Sequence, residues 1–202
     1  ASNPVGSINK ASPGINLITL QTMYSTLLLL VTLFVSLLVS KFITLNQINS
    51  DAKKRLDVVQ SVFIPEYISV YISSVFIITV PILCVLLFGQ YFFELPIFQN
   101  ATQIAAVMFL TCSAIINLGM AIAYFIKDES ITLLIGSFMM VFLIFFSGFV
   151  LPIEMMTDIS GMVASTLPGT VAQRAFDLTG LYSQPINDIG IDLGILGGWT
   201  VV

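Results

Sequence analysis

The sequence predicts an all-α fold: a polytopic membrane helix bundle carrying a re-entrant helical hairpin on its outer side. Three observations carry this. Four runs hold no charged residue, namely Leu17–Ser40, Tyr67–Phe93, Leu95–Ile126 and Ser130–Ile153. Each reaches the roughly 20 residues needed to cross a hydrocarbon core about 30 Å thick. Apolar residues make up 57% of the chain and charged ones 9%, against roughly 25% charged in a soluble domain, so a soluble core of this size would lack the polar residues to cover it. The third observation is a pair of half-length apolar segments, broken by proline and glycine, after the fourth run. Backbone amides in hydrocarbon must be paired within their own segment, so the runs are read as helices. Spans are expected over about 17–41, 67–93, 103–126 and 131–151, with a further one starting near 189, all in one transmembrane domain covering 1–202.

Orientation follows from lysine and arginine, which are retained on the cytoplasmic side. Lys41, Lys53, Lys54, Arg55 and Lys127 fall on one side of alternating spans, and Lys10 and Arg174 on the other. This sets Phe42–Glu66 and Lys127–Glu129 inside, and Glu94–Ala101 and Pro152–Asp188 outside. The expected location is the cell membrane, multi-pass. The opening Ala1–Gly6 has a loop-like composition, and the apolar run from Ile189 is cut short at Val202, so the chain is expected to be a fragment of a longer protein.

Within the inner segment, Asn49 and Ser50 are good helix caps and Asp51 complements the helix dipole in the first turn. Leu56, Val59 and Phe63 recur at helical spacing, opposite Lys53, Asp57 and Gln60. Pro65 is expected to end this amphipathic helix, placed at 50–64. It reads either as a plain interfacial helix with its lysines near anionic head groups, or as a docking surface for a cytosolic partner.

On the outer side, Ser147, Gly148 and Pro152 weaken and break the fourth helix. Met155, Ile159, Met162 and Val163 then keep helical spacing, and Pro168-Gly169 interrupts again. Thr170 and Gln173 have the spacing of a capping box, opening a second short helix that runs toward Gly180. Each piece, within 154–178, is about ten residues and so about 15 Å long. They form either a hairpin dipping into the outer leaflet or a pair of helices lying flat on it.

Catalytic chemistry finds little support. The chain has no histidine, hence no imidazole base or histidine metal ligand. It has no Gly-x-x-x-x-Gly-Lys loop to cradle phosphate. No metal site, cofactor or catalytic residue is assigned, and the chain is expected not to be an enzyme. No basic patch suits nucleic acid. None of the four runs contains a carboxylate, which argues against a proton path. Their polar residues (Gln21, Thr22, Ser25, Thr26, Ser73, Ser74, Thr111, Ser113 and Asn117) are read as stitching helices together. Cys84 and Cys112 are read as buried structural thiols.

Three stretches carry a resemblance. They are Leu38–Lys41 through Asn49–Leu56, then Phe146-Ser147-Gly148-Phe149-Val150-Leu151-Pro152-Ile153-Glu154-Met155-Met156, and then Ser165-Thr166-Leu167-Pro168-Gly169-Thr170. In order and spacing they resemble the permease of an ATP-binding-cassette type-2 exporter over roughly Leu17 to Val202. Two departures stand out: the family often has a glutamate early in the inner segment, where this chain has Asn46 nearby, and Met156-Thr157 replaces its Met-Pro. The resemblance implies a missing first span and extracellular domain. It also implies a coupling helix resting on a separate ATPase subunit through Asp51, Lys53, Lys54, Arg55 and Leu56. An extracellular gate would be built from Ser147, Gly148, Pro152, Glu154, Pro168 and Gly169. Two permeases, alike or different, and two ATPases would make the exporter. The apolar and hydroxylic walls favour an amphiphilic substrate. The alternative is a channel-forming or structural membrane protein without an ATPase partner.

Overall fold

The computed structural model describes residues 17–50, 63–92, 100–126, 128–147, 155–181 and 189–201. Among them every regular element is helical. Helices α1 (Leu17–Ile48), α2 (Phe63–Phe92), α3 (Ala101–Ile126) and α4 (Glu129–Phe146) are each long and apolar enough to cross a membrane. Two nine-residue helices follow, α5 (Asp158–Thr166) and α6 (Pro168–Phe176). A π-helical turn over Asp177–Leu181 extends α6, and α7 spans Gly190–Val201. The chain is an all-α, multi-pass membrane protein.

Helices α1 and α3 form the centre. They pack most extensively on each other, and α2 lies mainly against α1. The three alternate in direction. Near one end, the Tyr24 hydroxyl donates to the Val85 carbonyl at 2.5 Å; near the other, the Tyr67 hydroxyl donates to Asn117 Oδ1 at 2.9 Å. Leu28, Leu29, Leu33 and Leu37 on α1, with Val107, Ile115, Ile116 and Met120 on α3, are almost wholly buried. Outward faces stay apolar, as at Phe76 on α2 and Phe138 on α4. That is the expected state where lipid is the solvent.

Close helix contact rests on small residues. A Cβ on Gly119 would strike Ser40 Oγ and come within 3.1 Å of the Leu37 carbonyl. A Cβ on Gly89 would run into the Tyr24 ring. Several span hydroxyls turn back onto their own helix instead of reaching a neighbour: Thr32 bonds Leu28 O, Thr44 bonds Ser40 O and Thr111 bonds Val107 O. This is the usual way a lone hydroxyl is satisfied in a helix. For Thr111 it corrects the reading as a cross-helix stitch. Ser113 and Asn117, in contrast, do bond to other helices. Cys112 is buried, whereas Cys84 is exposed on α2 and so is not a buried thiol.

Four sequence expectations change. First, α1 does not stop at Lys41 but continues to Ile48. A charge marks a polar boundary without breaking backbone hydrogen bonds. Second, Pro65 ends nothing; it sits in the first turn of α2, where its missing N–H would have had no partner anyway. Third, α4 closes at Phe146, with Ser147 as C-cap, instead of running to 151. Fourth, the Thr170–Gln173 capping box is not used. Helix α6 starts at Pro168, with Leu167 at the N-cap and no side-chain cap bond. The span edges at Phe63 and Ala101 lie a few residues before those expected.

Candidate functional site: a half-helix held inside the bundle

The proline-glycine turn between α5 and α6 packs into the bundle and does not lie on its surface. Pro168, Gly169, Thr170, Val171, Ala172, Ala175 and Phe176 are all buried. Helix α6 touches α1, α3, α4 and α7. This excludes the flat arrangement for the second half-helix. Helix α5 differs, because Ile159 and Met162, like Met155 just before it, are more than three-quarters exposed. The hairpin therefore has one apolar face outward and one helix inside.

Polar bonds fix α6 along its length. Gln173 Nε2 donates to Thr26 Oγ1 at 3.1 Å. The Asp177 carboxylate accepts from the Ser25 hydroxyl. Beyond the helix, Asn100 Nδ2 donates to the Thr179 carbonyl at 2.9 Å. On the α7 side, Arg174 Nε lies 3.0 Å from Asp192 Oδ1, with a second guanidinium nitrogen on the same oxygen. The Asp192 side chain is 7% exposed and that of Arg174 48%. At the turn, the Trp199 indole donates to the Thr166 carbonyl at 2.8 Å and so satisfies one of the unpaired carbonyls at the end of α5.

The turn itself meets the end of α4. A Cβ on Gly169 would strike Ser147 Oγ, lie 2.8 Å from Ser147 Cβ and 3.2 Å from Leu33 Cδ1. Only glycine fits there. Three of the residues assigned to a gate, Ser147, Pro168 and Gly169, are thus brought to one place, opposite Leu33 near the middle of α1. Gly148, Pro152 and Glu154 lie outside the described residues. So do Asp51, Lys53, Lys54, Arg55 and Leu56, together with the rest of residues 51–62, where the amphipathic helix is expected.

The Ser147 and Thr170 hydroxyls are buried without a hydrogen-bond partner, as is Asp177 Oδ1. Unpaired buried polar atoms cost stability, and Ser36, Ser74 and Thr132 carry others elsewhere in the bundle. Among the described residues no group of three His, Cys, Asp or Glu gathers to hold a metal.

Sequence reasoning missed the Arg174–Asp192 pair. The available signal was Asp192 itself, an acid inside the apolar run from Ile189, because a charge in such a run needs a counter-charge.

Lys41 is the second anomaly. It is 1% exposed, and its ammonium has no hydrogen-bond partner. Its side chain lies across Gly136 of α4, where a Cβ would come 2.7 Å from Nζ. The sequence places Lys41 at the inner end of the first span, on the cytoplasmic side, but the structure buries its side chain between α1 and α4. A buried cation without a partner is destabilising, and an apolar side chain of similar length removes that cost. Lys41→Met is therefore expected to raise stability by about 1–3 kcal/mol, read from unfolding in mild detergent. A loss of stability would mean that Lys41 makes a favourable interaction that the methionine cannot replace.

No family model, no curated protein and no solved structure matches the chain.

Proposed function

We propose that the chain is the transmembrane permease subunit of an ATP-binding-cassette exporter, moving an amphiphilic substrate with ATP hydrolysed by a partner subunit. The observation that carries this is the half-helix turned back into the bundle after the fourth span. Its Pro168-Gly169 turn rests on Ser147 and Leu33, and its polar residues bond to α1 and α7. In this reading α5 and α6 form the outer gate, and the chain itself hydrolyses nothing.

Helix α1 gives the reading a mechanical route. It leads directly into residues 51–56, the proposed coupling segment for the ATPase. The same helix holds the gate through Ser25, Thr26 and Leu33. A helix of 32 residues, about 48 Å long at 1.5 Å per residue, moves as one body over that distance. A push at its inner end would displace the contacts of α6 at its middle and outer end. Two ATPase subunits and a second permease, alike or different, would complete the exporter.

The test is a pull-down of the full-length protein from its native membrane in mild detergent, with mass spectrometry of what accompanies it. A stoichiometric ATP-binding subunit is expected, and it should be lost when Lys53, Lys54 and Arg55 are all changed to glutamate. A homo-oligomer with no nucleotide-binding partner would overturn the exporter reading in favour of a channel or structural protein. A partner that tolerates the charge reversal would keep the exporter and remove the coupling assignment.

A further inference from the structure

The contact between α1 and α4 buries a charge with nothing to balance it. The Lys41 ammonium has no hydrogen-bond partner and is sealed from water. It lies across Gly136, whose missing side chain makes the room: a Cβ there would come 2.7 Å from Nζ and 3.2 Å from Cδ. One turn earlier on the same face of α4, Thr132 is also fully buried. No carboxylate reaches the lysine. The described residues of α1 and α3 include none, and Asp128 and Glu129, at the start of α4, are exposed.

Helix α4 is also the least firmly tied of the four spans. Only 22% of its apolar stretch is buried, against 61% for α3. Helix α2 is buried to the same small extent, but Tyr24, Tyr67 and Tyr71 bond it to α1 and α3. Among the described residues, no side-chain hydrogen bond or ion pair joins α4 to another helix. What holds it is apolar contact, chiefly of Met140 and Leu143 with Leu33, Leu37 and Ile115. In lipid such contact adds only close packing, because acyl chains are as apolar as leucine. An unbalanced buried charge is strongly destabilising. It acts here against a contact with little to oppose it.

The two helices agree on where relief lies. Lys41 meets Gly136, while Leu33 and Ser147 both meet the Gly169 turn, so α1 and α4 run antiparallel. Lys41 lies seven residues before α1 ends at Ile48, and Gly136 seven residues after α4 starts at Glu129. Both helices thus place the contact about 10 Å from one end of the bundle, at 1.5 Å per residue. A lysine stem covers more than half of that distance and turns its head to water when a path opens. The apolar contacts of Met140 and Leu143 lie further from that end. We propose that the seam between α1 and α4 opens to water at the end where α1 stops and α4 begins, and that Lys41 drives it open by turning from Gly136 toward that end. This holds whether or not the chain is an exporter subunit.

The test uses the full-length protein in lipid vesicles, with a water-soluble methanethiosulfonate present on both sides and peptide mass spectrometry to locate the label. Thr132→Cys places a thiol in the seam, Met140→Cys one further along it, and Ser130→Cys one at an exposed position near the start of α4. The thiol at 132 is expected to react although Thr132 is fully buried, and that at 140 to stay silent, which reports a folded bundle. Labelling of this kind tracks the open population. Lys41→Met should therefore slow the reaction at 132 by about ten-fold or more, since it removes the buried charge, and leave that at 130 unchanged. Gly136→Ala should speed it, because the new methyl takes the place of Nζ and turns Lys41 out. A thiol at 132 that stays unreactive in the presence of Lys41, or reacts equally fast after Lys41→Met, would overturn the proposal. So would labelling at 140 as fast as at 132, because α4 would then part from α1 along its whole length.

Discussion

Gly169→Ala is expected to destabilise the protein by about 3 kcal/mol, at the upper end of the usual cost of overpacking a filled site. The new methyl would meet Ser147 Oγ and, at 2.8 Å, Ser147 Cβ. The first could rotate away, but the second is fixed to the backbone at the C-cap of α4. Either α6 must move outward, breaking its bonds to Thr26 and Asp192, or α4 must give way. Removing the obstacle should reverse the effect. Ser147→Gly takes away both atoms and with them a buried hydroxyl that has no partner, so alone it should cost about 1 kcal/mol or less. The double variant, left only with the flexible tip of Leu33 at 3.2 Å, should recover most of the loss. A coupling energy of about 2 kcal/mol between the two sites is the expected signature of direct contact. Gly194→Ala serves as a reference in the adjoining α7. A Cβ there meets nothing within 4 Å, so this change should be neutral or stabilising by up to about 1 kcal/mol. All four proteins would be compared by unfolding in mild detergent. A neutral Gly169→Ala, or a double variant no better than the single, would mean that the turn does not rest on Ser147.

The spans were legible because lipid imposes one simple demand, the exclusion of charge, and the sequence displays it as uninterrupted runs. The half-helix was legible only as a length and a pair of breakers. Its burial was hidden because Gln173 and Arg174 make it look like a surface helix. Both instead face partners inside the bundle, Thr26 and Asp192, which lie 147 and 18 residues away in sequence. Periodicity cannot register such pairings. The misplaced start of α6 has a local cause. Proline at the first helical position competes with a threonine cap two residues on, and with Thr170 already inside the helix its hydroxyl is left buried and unpaired. Lys41 shows the opposite limit. A lysine at the end of an apolar run reads as an anchor in water, and nothing local reveals that Gly136, 95 positions on, leaves room for it inside.

Arg174→Met is expected to cost about 3 kcal/mol, because it abandons a carboxylate that is already buried. Asp192→Asn should cost less, about 1 kcal/mol, since the guanidinium it leaves behind is half exposed and the amide can still accept one of its hydrogens. Replacing both, as Arg174→Met with Asp192→Leu, removes the charges together. Well-packed apolar groups in place of a buried ion pair are often neutral or stabilising, so the double variant should return to near the parent's stability. That return separates two roles for the pair. On the exporter reading proposed above, an ion pair that is only packing means that transport by the reconstituted protein should recover along with stability. If it is the point where the half-helix is fastened to and released from α7, a permanent apolar contact would restore stability without restoring transport. An ion pair can be broken and remade in a site that water enters, whereas two apolar side chains resist separation there. Stability recovered without transport would therefore assign the release of α6 to Arg174 and Asp192. Recovery of both would, on the same exporter reading, leave the glycine turn at Ser147 as the remaining place for a gate.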